Sequence, residues 1–452
     1  MNTKPNFLFI MADQLRRDYL HCYGAEWMKT PHIDKLAARG TVFNHCYTNS
    51  PVCAPSRISL ASGLRPHRVG SLDNSSFLPA GVTTCYQRLR DNEYYVGCVG
   101  KLDLAKMDGY IGYGDRPCCY TFGFTHPVEC EGKYHAGQKP VPFGPYTRFL
   151  QERGFLQAFH DDYKTRSFLA CHDSVLPADA FEDIFIGRRS AQWLREMPQD
   201  YPFHLFVSFV GPHDPFDPPT EYADLYRDRE LPGRILDDGT GKPRRIRDRM
   251  ASIEGQSEET YETLRRQYCA AITAIDDAVG DIMAALEARG DADRTIIILS
   301  SDHGEMLADH GLPIKHVAYD PSWGVPLIVA GPGLPEGKRS EAMIELMDVG
   351  ETVCDLAGLR TPSHLDARSF LPVLEGETDK HREYVLTQEL PYRAIRTERY
   401  KYIETHNDTC ELYDMIEDPN ELRNIAAAHA DLVRNLERTM VRGFTEEKWR
   451  RG

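Results

Sequence analysis

Short apolar runs that stop abruptly at polar, chemically capable residues recur along the chain. Residues 7–11 end at Asp13 and Gln14, residues 203–210 run into Gly211-Pro212-His213-Asp214-Pro215, and residues 295–299 open into Ser300-Ser301-Asp302-His303-Gly304. Runs of this kind, about four to eight residues long and without alternation, fit strands buried on both faces. Residues 42–47, 95–101 and 325–330 read the same way, the run at 95 closing on a turn that presents Lys101. Helical spacing lies between them. A short helix covers 33–39 and stops at Gly40; a long one covers 259–289, with Ala271, Ile275, Val279, Ile282, Met283 and Leu286 on one stripe before Gly290. Strand and helix patterns that alternate predict an α/β fold with a large, mostly parallel central sheet between helices. In such sheets ligands gather beyond the carboxyl ends of the strands. Asp13, His213 and the Asp302-His303 pair are therefore expected on one edge.

Three stretches depart from this rhythm. Residues 107–173 are rich in Gly, Pro, Tyr and His with little periodicity and read as irregular loops that select substrate. Residues 227–250 mix Arg and Asp densely, including Arg244-Arg245-Ile246-Arg247, and read as a solvated loop. Near residue 376 the character changes, which divides the chain into a catalytic α/β domain at 1–375 and a carboxyl-terminal α+β subdomain at 376–452. There, strands at 384–387, 392–396 and 401–404 predict an antiparallel sheet, closed by a helix over 420–442.

Composition narrows the function. With 27% charged and 41% hydrophobic residues the chain is a folded, globular one. A formal charge of -15 argues against a nucleic-acid partner, so any handling of anions needs a local cationic pocket. The apolar run at 7–12 is too short for a signal or a membrane span. The expected location is the cytoplasm, without membrane attachment, and the 12 cysteines are expected as reduced thiols.

One cysteine stands apart. Cys53-Ala54-Pro55-Ser56-Arg57 places a proline in the first turn of a helix and Cys53 at its start, where free N–H groups and the dipole favour an anion. Extended through Leu60 and Gly63, the run resembles the sulfatase signature C-x-P-S-R, in which the cysteine is oxidised to formylglycine. Blocks around residues 5–14, 30–48, 301–305, 324–333, 393–403 and 411–426 also resemble type I sulfatases, in the family's order. The resemblance implies an alkaline-phosphatase-like fold and hydrolysis of a sulfate monoester. It further implies that Asp13, Gln14, Asp302, His303 and the formylglycine from Cys53 hold one divalent cation, Ca²⁺ first, with Mn²⁺ and Mg²⁺ open because Gln14 and His303 stand where many members carry Asp and Asn.

By the same resemblance, one hydroxyl of the hydrated aldehyde attacks sulfur and the other expels sulfate. Arg57, Lys101 and Lys315 neutralise the oxygens, and His213 protonates the leaving group, with His316 as second choice. Family members often have Lys-x-His where this chain has Lys101-Leu102-Asp103, so Asp103 becomes a base or a substrate contact. Asn74, Asp103 and His316 are the expected substrate contacts. A formylglycine-generating maturation enzyme and self-association are implied as partners. Two other readings compete. Phosphonate monoester and phosphodiester hydrolases of the same superfamily share the Asp-Gln and Asp-His pairs, an Asn placed like Asn74, and the absent Lys-x-His; a non-catalytic anion-binding relative is the remoter one.

Overall fold

The computed structural model describes residues 4–106 and 117–445. Nine strands build the main sheet: β1 (Asn6–Ala12), β2 (Gly40–Tyr47), β3 (Tyr95–Gly100), β4 (His126–Glu129), β5 (Phe203–Phe209), β6 (Thr295–Ser301), β7 (Gly324–Val325), β8 (Leu327–Ala330) and β9 (Lys338–Glu345). Their order is β4-β3-β5-β1-β6-β8-β2, with β7 and β9 also paired to β2. From β4 to β6 every pairing is parallel. β8 runs antiparallel to both β6 and β2, so β2 points the same way as β6. The sheet is thus mixed but mostly parallel, as the alternating pattern predicts.

Period-two geometry sorts each strand between two cores. Leu8, Ile10 and Ala12 of β1 face the long helix Glu258–Arg289 and its neighbour Glu182–Glu196; Phe7, Phe9 and Met11 face the helices Cys53–Ser62 and Met347–Leu356. Burial on both faces explains the unbroken apolar runs. The long helix is capped by Ser257, whose hydroxyl accepts the Thr260 N–H, and stops at Gly290 in the left-handed region.

A second, antiparallel sheet comprises β10 (Tyr384–Glu389), β11 (Tyr392–Thr397), β12 (Tyr400–Thr405) and β13 (Glu411–Asp414). One face, Leu386, Ile395, Tyr402 and Leu412, packs on the helix Ala430–Thr445 through Leu436 and Met440. The other, Val385, Ala394, Ile403 and Tyr413, packs on Tyr319 and Trp323 of the first part. The closing helix starts ten residues later than 420–442 suggests, because Asp418 and Asn424 side chains accept backbone N–H groups and hold that stretch in turns.

The irregular reading of 107–173 is corrected. His126–Glu129 joins the sheet, and Lys133–Gly137, Pro145–Glu152 and Leu156–Tyr163 are helices; residues 107–116 lie outside the described ones. Residues 227–250 are likewise not all loop, since Arg244–Ala251 is helical. All 12 cysteines are free thiols. Among the described residues no helix is long and apolar enough to cross a membrane.

Candidate functional site

Parallel strands bring five carboxyl ends to one edge. β1 delivers Asp13 and Gln14, β3 delivers Lys101 and Asp103, β5 leads to His213, β6 delivers Asp302 and His303, and β2 leads through residues 48–52 to Cys53. Gly100 makes the turn into Lys101 feasible: its φ is +109°, and a Cβ there would lie 1.9 Å from the Ser208 carbonyl oxygen. The helix Cys53–Ser62 begins after extended Val52 with no cap of its own. Asn74 supplies one from a neighbouring loop, its Oδ1 accepting the Ala54 N–H at 3.0 Å.

Around Cys53, which is fully buried, several groups converge. His303 Nε2 lies 3.3 Å from Sγ, the Lys315 ammonium donates to Sγ at 3.3 Å, and Asp13 Oδ1 is 4.0 Å away. Ligand atoms of Asp13, Cys53, Asp302 and His303 all lie within 4.8 Å of one another, a donor set that can hold a metal ion. His303 donates its Nδ1–H to the Gly304 carbonyl at 2.9 Å, which turns Nε2 toward the cluster. Gln14 stands beside them: its Oε1 accepts at 2.7 Å from the same Lys315 ammonium, and its Nε2 donates to Glu305 and Asp214.

Arg57 is buried beneath this group. Its Nε donates to Asp302 at 2.7 Å, Nη1 to the Lys101 carbonyl and Ser208 Oγ at 2.8 Å each, and Nη2 to Asp13 at 3.2 Å. Lys101 bonds Asp13 and lies 3.2 Å from Asp103, which also pairs with Lys106 at 2.9 Å. His213 donates Nδ1–H to the Asp214 carbonyl at 2.6 Å and accepts from Lys315 on Nε2 at 2.8 Å. Tyr134 sets its ring edge-on to His213, 5.3 Å between centroids, and its hydroxyl bonds Asp214. His316 turns to Glu389 of β10, with Nδ1 and Oε1 2.5 Å apart.

These contacts decide the electrostatics. Burial raises the Cys53 thiol, but Lys101, Lys315, Lys106 and His303 outweigh it and hold the thiol well below its ordinary value. Burial and the Cys53 charge push Asp13 up, yet Lys101, His213 and Arg57 hold it below the usual carboxylate range. Burial would strip Lys101 of its proton, and Asp103 and Asp13 keep it. Glu305 is pushed up to about 7, first by burial and then by Asp214.

Sequence reasoning thus names residues that do converge: Asp13, Gln14, Cys53, Arg57, Lys101, His213, Asp302, His303 and Lys315. Asn74 and Asp103 sit one bond behind them, and His316 faces the second sheet. Ser208, Asp214 and Tyr134 escape it. Asp214 alone carries a signal, as the neighbour of His213 in a proline-flanked turn.

Comparison with known proteins agrees with this geometry. The family model described as Sulfatase matches residues 5–359, and one described as N-sulphoglucosamine sulphohydrolase, C-terminal, matches residues 308–446. An arylsulfatase of Clostridium perfringens is 28% identical over 93% of this chain and 90% of its own length. A choline-sulfatase of Rhizobium meliloti is 30% identical over 94% of this chain and 82% of its own. Among solved structures, the phosphonate monoester hydrolase of Agrobacterium radiobacter superposes with a TM-score of 0.81 at 25% identity, covering 98% of this chain and 96% of that one.

Proposed function

The chain belongs to the sulfatase family, has its alkaline-phosphatase-like fold and is a sulfuric ester hydrolase; on that premise we propose that it cleaves a sulfate monoester at Cys53, matured to formylglycine, with one divalent cation at Asp13, Asp302 and His303. The observation that carries the reading is the gathering of Lys315 and His303, each 3.3 Å from the buried Cys53 sulfur, and of the Asp13 and Asp302 carboxylates within 4.8 Å of it. Formylglycine supplies the nucleophilic oxygen, and a Ca²⁺ ion, our first choice for these oxygen-rich donors, adds positive charge beside it.

The chain's own residues divide the remaining work. Arg57 spends four N–H groups on Asp302, Asp13, Ser208 and the Lys101 carbonyl, so it orients the two carboxylates from beneath the site. Lys101 and Lys315 face the equatorial oxygens and stabilise charge as it spreads over them. The departing oxygen takes up the proton that the Lys315 ammonium shares with His213 Nε2 across 2.8 Å. Asp103 acts through Lys101 and Lys106, fixing both ammonium groups.

Phosphonate ester hydrolysis is the second reading, favoured by the Asp103 and Asn74 positions and by the superposition with the Agrobacterium enzyme. Fully converted enzyme should turn over an aryl sulfate faster than a phenyl phosphonate ester. The reverse preference, measured as kcat/KM, would overturn the sulfate assignment while leaving the nucleophile in place.

A further inference from the structure

The basic stretch at 244–251 forms a helix set against the loop that carries Lys315. Asp408, beyond β12, accepts the Arg244 and Arg245 N–H groups at 3.1 and 3.3 Å and fixes the helix start. One turn later Arg249 Nη2 donates to the Pro313 carbonyl at 2.7 Å and the Lys315 carbonyl at 2.6 Å, while Nη1 reaches the His316 carbonyl at 3.2 Å. Arg245 adds a bond of 3.0 Å to that same His316 carbonyl. The loop they grip is strained: Ile314 has φ +45° and His316 φ +78°, left-handed values that a β-branched residue strongly resists. Between these two strained residues stands Lys315, reaching Cys53, His213 and Gln14. Glu389 steadies the far side through His316.

We infer that Arg249, assisted by Arg245, is a positioning residue: a guanidinium clamp on three backbone carbonyls that holds this turn so that the Lys315 ammonium stands between Cys53 and His213. The inference rests on the reading of the site given above. A planar fork can grip diverging carbonyls where a lysine's single nitrogen cannot, so the two cations are not interchangeable here.

The test is a cycle of R249M, K315M and the double variant, with R249K as the conservative control, read on aryl sulfates of graded leaving-group acidity. Misplacing a catalytic group by about 1 Å costs about 10²-fold. R249M should lose about that much in kcat with little change in KM, losing more on the poorer leaving groups, as K315M does. The double variant should be no worse than K315M, because the arginine acts only through the lysine. A crystal structure of R249M should show Nζ withdrawn from its 3.3 Å contact with Cys53. Losses that multiply in the double variant, or a lysine unmoved in that crystal, would overturn the clamp. If R249M does not fold, R249K carries the same comparison, with a smaller loss of the same leaving-group dependence. If the enzyme leaves every aryl sulfate untouched, the sulfate reading falls, and the position of Lys315 in the crystal still decides this one.

Discussion

Two clusters of buried charge, one around Cys53 and one where the second sheet meets the first, are built on different plans. At the seam Lys401 is fully buried between Asp320 at 2.5 Å and Glu421 at 2.7 Å, and 5.3 Å above the Trp323 ring. Lys242 is enclosed as completely, by Tyr413 Oη and the Glu421 carbonyl at 2.7 Å each, Asp237 at 3.2 Å and two tyrosine rings. Each of these ammonium groups has a carboxylate within 3.2 Å and an aromatic ring beside it. Lys315, by contrast, ends on an amide oxygen, an imidazole nitrogen and a sulfur. Compensated charge builds scaffold; at Lys315 the counter-charge in contact is the Cys53 sulfur, and its conversion to an aldehyde would leave room for an anionic substrate to complete the set.

Perturbing each plan should break different properties. The largest effect expected is on turnover: Cys53→Ala should lower kcat/KM by at least about 10⁴-fold, the scale on which removing a nucleophile acts, with the unfolding midpoint nearly unchanged. Next comes the seam, where Lys401→Met strands Asp320 and Glu421 and should cost about 3–5 kcal/mol in urea unfolding while the folded fraction keeps its kcat. A seam variant that folds well but turns over slowly would erase the distinction.

Metal addition is a smaller test. Calcium at a hundred times its Kd should stabilise the chelated protein by about 2.7 kcal/mol, seen as a raised Tm. That gain should vanish in Asp302→Asn and persist in Lys401→Met; a gain that survives Asp302→Asn would move the ion elsewhere.

The smallest effect concerns Asp183, which belongs to neither cluster. Burial pushes it up to about 6 against Lys133, with Asp217 adding to the rise and the Gly211 and Val210 N–H groups on Oδ1 opposing it. A folded value above the unfolded 3.8 means stability is fully present below pH 3.8 and lost as pH rises through 6. Asp183→Asn keeps the acceptor oxygen and removes the titration, so between pH 5 and 8 wild type should lose about 1–2 kcal/mol relative to the variant. Parallel unfolding curves at both pH values would show that Asp183 is ionised throughout.

Much of this is legible in the chain. Residues at strand ends are readable because an apolar run that stops on Asp or His announces both strand and edge, and Asp13, His213 and Asp302 all stand at such stops. The Arg249 clamp leaves no such trace, since its acceptors are backbone carbonyls that every residue owns. Ser208 hides inside an apolar run for a related reason: only the packed structure brings the Arg57 fork to it. The helices between 133 and 163 are short, and Gly and Pro at their borders mask the periodicity within.

One side chain ties four strand ends into a single rivet. Arg57 joins Asp13, Lys101 and Asp302, just past β1, β3 and β6, to Ser208 near the end of β5, from a helix that itself continues β2. Slow amide hydrogen exchange should therefore spread over the whole first turn of that helix, opening only when the sheet itself comes apart. Kinetic losses in an Arg57 variant would mix architecture with reactivity, which makes the lysines the cleaner probes of this catalyst.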